Sequence, residues 1–541
     1  MADYLYVPVN FNLKQLLSDY PTDKVTYNDR YKIYYLLHTI IDTSFRTRNN
    51  VTEDGFIRLK AQYLQIVVRK YNVYLQYLAD TYVIDVDRQY VIGEKPRGYK
   101  LATGYWGQPL KPIDISLNRI LSAITIVENS IAEHAMHKYP YLTKWLENGG
   151  LEINMVVVSN YLTSLANYNS AIKKARLDHL KLKTNKSKED RDAIRKCLAP
   201  EPNHQIGAYL IHHKQFRASI DNTAGRLHTN LTNLKSELRQ AFTYKGKPLV
   251  SLDLSNSQPY LSTVLLTAEF WSELKIDGSG LELLIKSIHS KGDVGVLATS
   301  QIDTEQCRSR GDVEDSSSRR VSPSINIYQF KKEVVDPIVG ITSHITGSAA
   351  LIMIVIYDNV ADKEDVKSYC RYVASGQFYE FLASAISEKG YPVPGSRKEL
   401  KGMVFQVMFT SNKFMGQENA EPKRIFSSIF PTVSKIFNRI KSVESNVLPI
   451  LLQSIESHLF LDIIAKRISL EYPNLPIYTI HDSIIILKEY QPQVLQIMQE
   501  ELTNAIGLTP TIKVEDLSIN NLIDLTAKMD KDIVEMDRNN D

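Results

Sequence analysis

The sequence predicts an α+β protein of several structural units, and three stretches predict it. Val250-Ser251-Leu252-Asp253-Leu254-Ser255 alternates apolar and polar residues, the period of a strand with one apolar face and a carboxylate on the other. Ile477-Tyr478-Thr479-Ile480 and Ile484-Ile485-Ile486-Leu487 flank His481-Asp482-Ser483, which reads as a hairpin with Asp482 at its tight connection. Between them, Ser396 to Phe409 has helical spacing. Arg397, Lys401, Phe405 and Phe409 are each four apart and fall on one slowly rotating face, two cations followed by two rings. Two acids on rigid β elements can converge on divalent cations, since Mg²⁺ takes paired hard oxygens while keeping waters and binding substrate phosphates. The helix face can hold triphosphate oxygens at one end and stack on a base at the other. Taken singly, Asp253 is equally a strand-end residue, Asp482 a turn former, and the two phenylalanines ordinary core.

The remaining elements follow in order. A chain of 541 residues with 43% hydrophobic content buries substantial cores and divides into several units, which excludes a disordered or fibrous protein. Lys and Arg number 64 against 61 Asp and Glu, a net charge of +3, so any nucleic-acid reading rests on local clusters. Residues 56 to 80 carry apolar residues among basic ones and read as an amphipathic helix. Asp85 and Asp87 suggest exonuclease acids only superficially, because too little chain precedes the central motifs for such a domain. Residues 126 to 180 read as helical, interrupted near Asn148-Gly149-Gly150. The densest basic run follows: Lys173, Lys174, Arg176, Lys181, Lys183, Lys186, Lys188, Arg191, Arg195 and Lys196. Clustered cations neutralise backbone phosphates without reading bases; a solvated helical hairpin is the competing account. Pro200 and Pro202 mark a boundary. A helical region is expected between Leu261 and Lys291. Arg308 to Pro323, rich in Ser and mixed charge, reads as an exposed, mobile insertion. Further helices are expected over 324–390. Tyr391-Pro392-Val393-Pro394-Gly395 breaks the chain ahead of the Arg397 helix, whose first-turn amides favour an anion. Ile455 to Leu470 has the rhythm of a supporting helix. Cys197, Cys307 and Cys370 are widely spaced, as suits a reducing compartment. The N-terminus lacks the pattern of a secretion signal, and Ala349 to Tyr357 is too short to span a membrane. The expected location is cytoplasmic, or the host cytoplasm if the source is viral, with no membrane.

The ordered set resembles the palm and fingers of family A DNA polymerases and of their relatives, the single-subunit phage-type RNA polymerases. Asp253 matches the first metal-binding aspartate, and His481 and Asp482 match the histidine and second catalytic aspartate of the last palm motif. Arg397 and Lys401 match the triphosphate-contacting pair, Phe405 the residue against the incoming sugar and base, and Phe409 a position usually held by tyrosine. Thr223-Ala224-Gly225-Arg226-Leu227-His228-Thr229 resembles the segment whose arginine, here Arg226, approaches the primer-template junction. Glu456-Ser457-His458 resembles more weakly a polar step of the phage-type enzymes, which would put His458 near primer or nucleotide. The resemblance covers roughly residues 220 to 490. It implies a right-hand polymerase with an antiparallel palm sheet and mainly helical thumb and fingers. Asp253 and Asp482 would hold two Mg²⁺ ions, with Mn²⁺ able to substitute. The partners would be DNA primer-template and nucleoside triphosphates, and replication accessory proteins would fit the role. The expected layout is an N-terminal accessory region over 1–125, a basic thumb-like region over 126–205 that contributes Lys173, Lys174, Lys181, Lys183, Lys186 and Lys188, and a first palm portion over 206–265. Fingers would occupy 266–430, with the insertion near 308–323, and the second palm portion and tail 431–541.

Several positions depart from the pattern. Where the DNA enzymes carry glutamate five positions after the first aspartate, this chain has Gln258, and Phe409 replaces the usual tyrosine partner. Gln258 keeps enough bulk to crowd a 2′-hydroxyl without a negative charge. Ser483 follows Asp482 as in the phage-type RNA polymerases, and Thr410 to Phe414 is also similar to them. The reading favours a DNA polymerase without a recognisable proofreading domain, preferring dNTPs with leakage toward NTPs. An RNA polymerase or primase-like enzyme is the alternative. A non-catalytic nucleic-acid-binding protein is the reading of a different class.

Overall fold

The computed structural model describes residues 4–46, 51–52, 54–87, 96–198, 203–267, 360–413, 415–442 and 445–538. The expected insertion at 308–323, the apolar stretch 349–357, most of the helical region over 261–291, the helices expected before residue 360, and Phe414 lie outside the described residues. The chain forms two compact units. One comprises Met1–Asp253, Phe460–Leu495 and Lys513–Asp541, the other Leu254–Leu459 and Gln496–Ile512.

In the first unit, Tyr4–Pro8 pairs antiparallel with Leu110–Asp114, and a small sheet runs in the order Ile57–Arg58, Gly98–Leu101, Ile84–Asp87. The single helix expected over 56–80 is instead a short strand and two helices, Ala61–Val67 and Tyr71–Asp80. The break falls at Val68, which adopts extended backbone and is 1% exposed, so burying that side chain takes precedence over continuing the helix. Asp87 meets Arg58 at 3.3 Å and Asp85 meets Lys100 at 3.8 Å, each acid of that strand facing a cation. Helix Arg30–Arg46 buries Ile33, Leu36, Leu37 and Ile40 among these strands.

Polar bonds tie the start of the chain to residues 213–217. The Tyr6 hydroxyl donates to Gln215 Oε1 and lies 2.9 Å from His213 Nδ1, while Gln215 Nε2 donates to Tyr4 O at 3.0 Å. Arg217 is gripped by Asp42 Oδ1 at 2.7 Å and by Glu128 Oε1, which accepts from Nη2 at 2.7 Å and Nε at 3.0 Å. Burial disfavours the Arg217 charge, but these two carboxylates outweigh it and raise its pKa.

The main sheet has six strands: β1 (Leu151–Ile153), β2 (Phe242–Tyr244), β3 (Lys247–Leu254), β4 (Tyr478–Ile480), β5 (Ser483–Leu487) and β6 (Ile512–Asp516). Its order is β4-β5-β3-β2-β1, with β6 also on β3. The β1–β2, β2–β3, β3–β5 and β4–β5 pairs are antiparallel. Every residue of β4 and β5 is buried, which explains their unbroken apolar runs, whereas β3 alternates from Val250 to Leu254 as a strand with one wetter face does. Helix α1 (Met155–Leu182) starts at Asn154, whose side chain accepts from Val157 N, and leads by a short turn to α2 (Lys188–Leu198). The C-terminal helix Ile519–Arg538 packs along α1.

The described residues of the second unit are mainly helical. Tyr369 anchors its core with edge contacts to Phe378, Phe426, Phe430 and Phe437, and its hydroxyl meets Ser262 Oγ at 2.8 Å. This unit holds α3 (Arg397–Phe409) and α4 (Val447–Ser457). Ser396 caps α3 by accepting from Glu399 N at 3.2 Å, so the helix begins where the Pro-rich break ends. After α4 the chain continues as π-helix over His458–Ala465 and α-helix over Lys466–Glu471. The run Val447–Glu471 is long and apolar enough to cross a bilayer, yet 72% of its most apolar window is buried inside the protein, as in a core helix. The architecture is a mixed α+β fold: an antiparallel sheet with mostly helical surroundings.

Candidate active site

The β3–β5 pairing brings two of the expected acids together. Asp253 is the register partner of Ser483, and Asp482 precedes Ser483 in the two-residue turn between the paired residues Ile480 and Ser483. Directly opposed Cα atoms in such a ladder are roughly 5 Å apart, so the two aspartates occupy neighbouring positions at one end of the β3–β5 pair. The turn requires a left-handed residue, and His481 fills it with φ of +55°, a conformation costing a non-glycine residue roughly 1–2 kcal/mol. The imidazole is largely buried, and its Nδ1 has no hydrogen-bond partner among the described residues. Burial, followed by the positive fields of Arg226, His228 and Arg239, pushes its pKa down to about 4, with Asp221 opposing. His481 is therefore neutral near pH 7, its ring 6.0 Å from that of His228 and nearly perpendicular.

Arg226 reaches this cluster through a turn built by Asp221. Short strands Ala218–Ile220 and Leu227–Thr229 pair antiparallel, and between them the Asp221 carboxylate accepts from Thr223 N at 2.8 Å, Ala224 N at 2.6 Å and Arg226 N at 3.0 Å. His228 Nε2 lies 3.3 Å from the same carboxylate. Burial works against the Asp221 charge, but the bonds from His228 and the three amides outweigh it and hold the group well below the usual carboxylate range. Arg239 is the further cation. Burial lowers its pKa, while Asp253, Glu237, Asp482 and Glu515 pull it back, which places its guanidinium in the field of both candidate metal ligands. Asp221, His228 and Arg239 also line a cavity of about 1300 Å³ whose wall includes Glu128, Arg217 and Asn230.

In the second unit, α3 buries Leu400, Met403, Val404, Val407 and Met408 and turns the expected ligand face outward. Arg397 and Lys401 are exposed and Phe405 is 37% exposed, so Phe405 is not a core ring. Arg397 donates to Glu380 at 2.6 Å and lies over the Tyr379 ring at 5.3 Å. Lys401 Nζ is 5.5 Å from the centre of the Phe405 ring, which contacts Phe409 at 5.1 Å. Two buried lysines hold the end of this helix. Lys441 Nζ donates to Val407 O at 2.5 Å and Thr410 O at 3.2 Å, and Lys423 Nζ donates to Ser411 O and to Thr410 O. Ammonium groups at a helix C-terminus satisfy orphan carbonyls and oppose the negative end of the helix dipole.

Gln258 is 6% exposed and lies in the short helix Ser257–Ser262. Its Nε2 donates to Glu456 Oε2 at 2.5 Å, and Glu456, in α4, is 1% exposed. The pair joins residues 198 positions apart in sequence. His458 starts the π-helical segment two residues further on.

The basic run is a helical hairpin. Lys173, Lys174 and Lys181 lie on α1, Lys183 and Lys186 in the connecting turn, and Lys188 opens α2. Lys183 pairs with Asp190 at 2.7 Å, and Lys186 donates to Lys181 O and Lys183 O. Lys174, Lys181 and Lys188 are exposed, and α2 buries no residue.

Among the described residues no group of three or more His, Cys, Asp or Glu has the arrangement of a metal site. Asp253 and Asp482 supply two hard carboxylates beside a neutral imidazole, a donor set that suits Mg²⁺ completed by substrate phosphates and water rather than a closed protein cage. Glu456, Arg239, Asp221 and His228 are the polar residues that the motif reading left without a role. No local signal joins Arg239 to the two aspartates or Glu456 to Gln258.

No protein-family model matches the chain, and no curated protein matches it. Among solved structures, the chain is similar to the POL domain of Pol1 from M. smegmatis, in complex with DNA primer-template and dNTP. The identity is 11% and the TM-score 0.29, over 76% of this chain and 74% of that one. Similarity at that level leaves the functional assignment to the residues themselves.

Proposed function

We propose that the chain is a nucleotidyltransferase, a template-directed DNA polymerase that adds dNTPs to a primer 3′-hydroxyl. The observation that carries this reading is the register of β3 on β5, which sets Asp253 beside Asp482 at one end of that strand pair. The 3′-oxygen attacks the α-phosphorus in line as the bond to pyrophosphate breaks. Asp253 and Asp482 would hold Mg²⁺, which supplies Lewis acidity toward the hydroxyl and screens the triphosphate. Arg397 offers a directional fork and Lys401 a point charge for the triphosphate oxygens. Phe405 stacks on the nucleotide, and its exposure supports that role. Arg226 and the cations of the α1–α2 hairpin hold the primer-template by its phosphates. His481, neutral at physiological pH, positions the primer end and is not needed as a ligand. In this reading 126–205 acts as thumb and 266–430 as fingers.

RNA synthesis is the second reading, carried by the resemblance of Ser483 after Asp482 and of Thr410 to Phe414 to the phage-type RNA polymerases. Primer extension with dNTPs or NTPs, with and without primer, separates the two. Primer-dependent extension with dNTPs is the expected result. Efficient synthesis from NTPs alone would replace it with the RNA-polymerase reading, and failure with both would remove the catalytic assignment.

A further inference from the structure

We propose that Glu456 is a positioning residue for nucleotide selection: it fixes the Gln258 carboxamide so that Oε1 is left to accept a hydrogen bond from a sugar hydroxyl of the bound nucleotide. This rests on the reading of the chain as a nucleotidyltransferase.

The chemistry of the pair sets the orientation of the amide. The Gln258 nitrogen donates to Glu456 Oε2, the orientation that a carboxylate acceptor asks of an amide. With both side chains more than nine-tenths buried, neither end can exchange its partner for bulk water, and the flip is locked. The lock leaves Gln258 Oε1 buried and without a donor among the described residues. Such an acceptor is costly to keep and calls for an explanation in a bound group. Two residues earlier, Asn256 holds a left-handed conformation with φ of +54°, and its Oδ1 and Nδ2 are likewise buried without partners. Three unmatched polar atoms on one turn, directly after the strand that bears Asp253, mark a place built to be completed by a ligand.

The class of donor follows from what a template-directed enzyme must ignore. A nucleotide carries donors on its base and on its sugar. Base donors differ among the four nucleotides, so a fixed acceptor meeting one of them would favour particular bases regardless of template. A sugar hydroxyl is common to all four. A neutral carboxamide oxygen is also suited to a hydroxyl and offers no repulsion to the neighbouring triphosphate. The 2′- and 3′-hydroxyls share this chemistry; a dNTP carries only the 3′-hydroxyl, so that is the donor expected under the dNTP reading, and a factor on the 2′-hydroxyl would instead carry the RNA-synthesis reading.

The test is kcat/KM for matched NTP, dNTP and 2′,3′-dideoxy-NTP series on each of the four template bases. Comparing dNTP with the dideoxy series reads the 3′-hydroxyl, and comparing NTP with dNTP reads the 2′-hydroxyl. In the wild-type chain, removing the hydroxyl that meets Oε1 is expected to lower kcat/KM about tenfold or more, equally for all four bases. Glu456→Gln presents either end of an amide to Gln258 and so frees the flip, and the factor is expected to fall to about twofold. The exchanged pair Gln258→Glu with Glu456→Gln keeps a buried amide-to-carboxylate bond and is expected to widen the factor, because a charged acceptor binds a hydroxyl more strongly. If Glu456→Gln does not fold, the exchanged pair decides. Extension by wild type with the same hydroxyl factor in the variants, or with a factor that changes from base to base, overturns the inference and leaves the polymerase reading intact. A wild-type chain that extends no primer with any nucleotide overturns both.

Discussion

Asp253 stands directly across the β3–β5 ladder from Ser483, which makes Asp482 its neighbour at the turn. Replacing either aspartate with asparagine keeps the volume and removes the charge. Each change is expected to lower single-turnover primer extension by about a thousandfold or more, with thermal unfolding altered by no more than a few degrees. Unchanged extension in either variant would remove that aspartate from the proposed catalytic pair.

The α1–α2 hairpin predicts unequal lysines. Lys183 already pairs with Asp190, so its neutralisation is expected to change template affinity little. Neutralising the exposed Lys174, Lys181 and Lys188 together is expected to weaken binding and to reduce the salt slope by up to about one per cation that contacts phosphate. A salt titration of template affinity checks both, and an unchanged slope in the triple variant would remove the thumb role.

His481 gives the fold an acid sensitivity with a definite sign. Its pKa is pushed from an ordinary 6.5 to about 4, so between those values the unfolded chain binds more protons than the folded one. Stability from this group is complete above pH 6.5 and is lost as pH falls toward 4. His38, also buried and pushed down to about 4, acts in the same direction. His481→Asn is therefore expected to flatten the fall of Tm between pH 6.5 and 4 by a few degrees without abolishing it. Parallel Tm curves for wild type and variant would contradict the assignment.

Lys441 acts at the other end of the scale. Burial first, then the charge of Lys423, push its pKa from 10.5 down to about 8. Between pH 8 and 10.5 the unfolded chain again binds more protons, so this group's contribution to stability rises with pH across that window. Lys441→Met lacks that rise. The difference in Tm between wild type and variant is expected to move in favour of wild type from pH 7 to pH 9.5, and a constant difference would show that the amine does not titrate there.

Local pattern carried much of this far. The alternation around Asp253, the paired apolar runs around Asp482 and the four-residue spacing of Arg397 to Phe409 each correspond to a strand, a hairpin and a helix in the structure, because those periods arise from which face is buried. The break of 56–80 into a strand and two helices was not legible, since burying Val68 is a tertiary demand that propensity does not encode. The surroundings of the acids were not legible either. Arg239 acquires its meaning from the fields of Asp253 and Asp482, and Glu456 from Gln258, and neither partnership leaves a trace in sequence spacing. Phe405 shows the reverse case: aromatic residues at helical spacing usually form core, and its exposure is decided by Leu400, Met403, Val404, Val407 and Met408 taking the inner face.

The bonds that join Tyr6 to Gln215 and Asp42 to Arg217 bear on how the protein can be dissected. The first fifty residues look like an appendage that a biochemist would trim to obtain a smaller catalytic fragment. A fragment starting after Arg46 would keep Arg217 and the Glu128 carboxylate but lose Asp42, and it would expose the faces of Ile206 and Leu210 that pack with the N-terminal core. Leaving a guanidinium partly buried with one of its two carboxylates gone is among the more destabilising changes available to a protein. Such fragments should be recovered as aggregates, and the shorter chain should become soluble again when the segment 1–46 is supplied in trans.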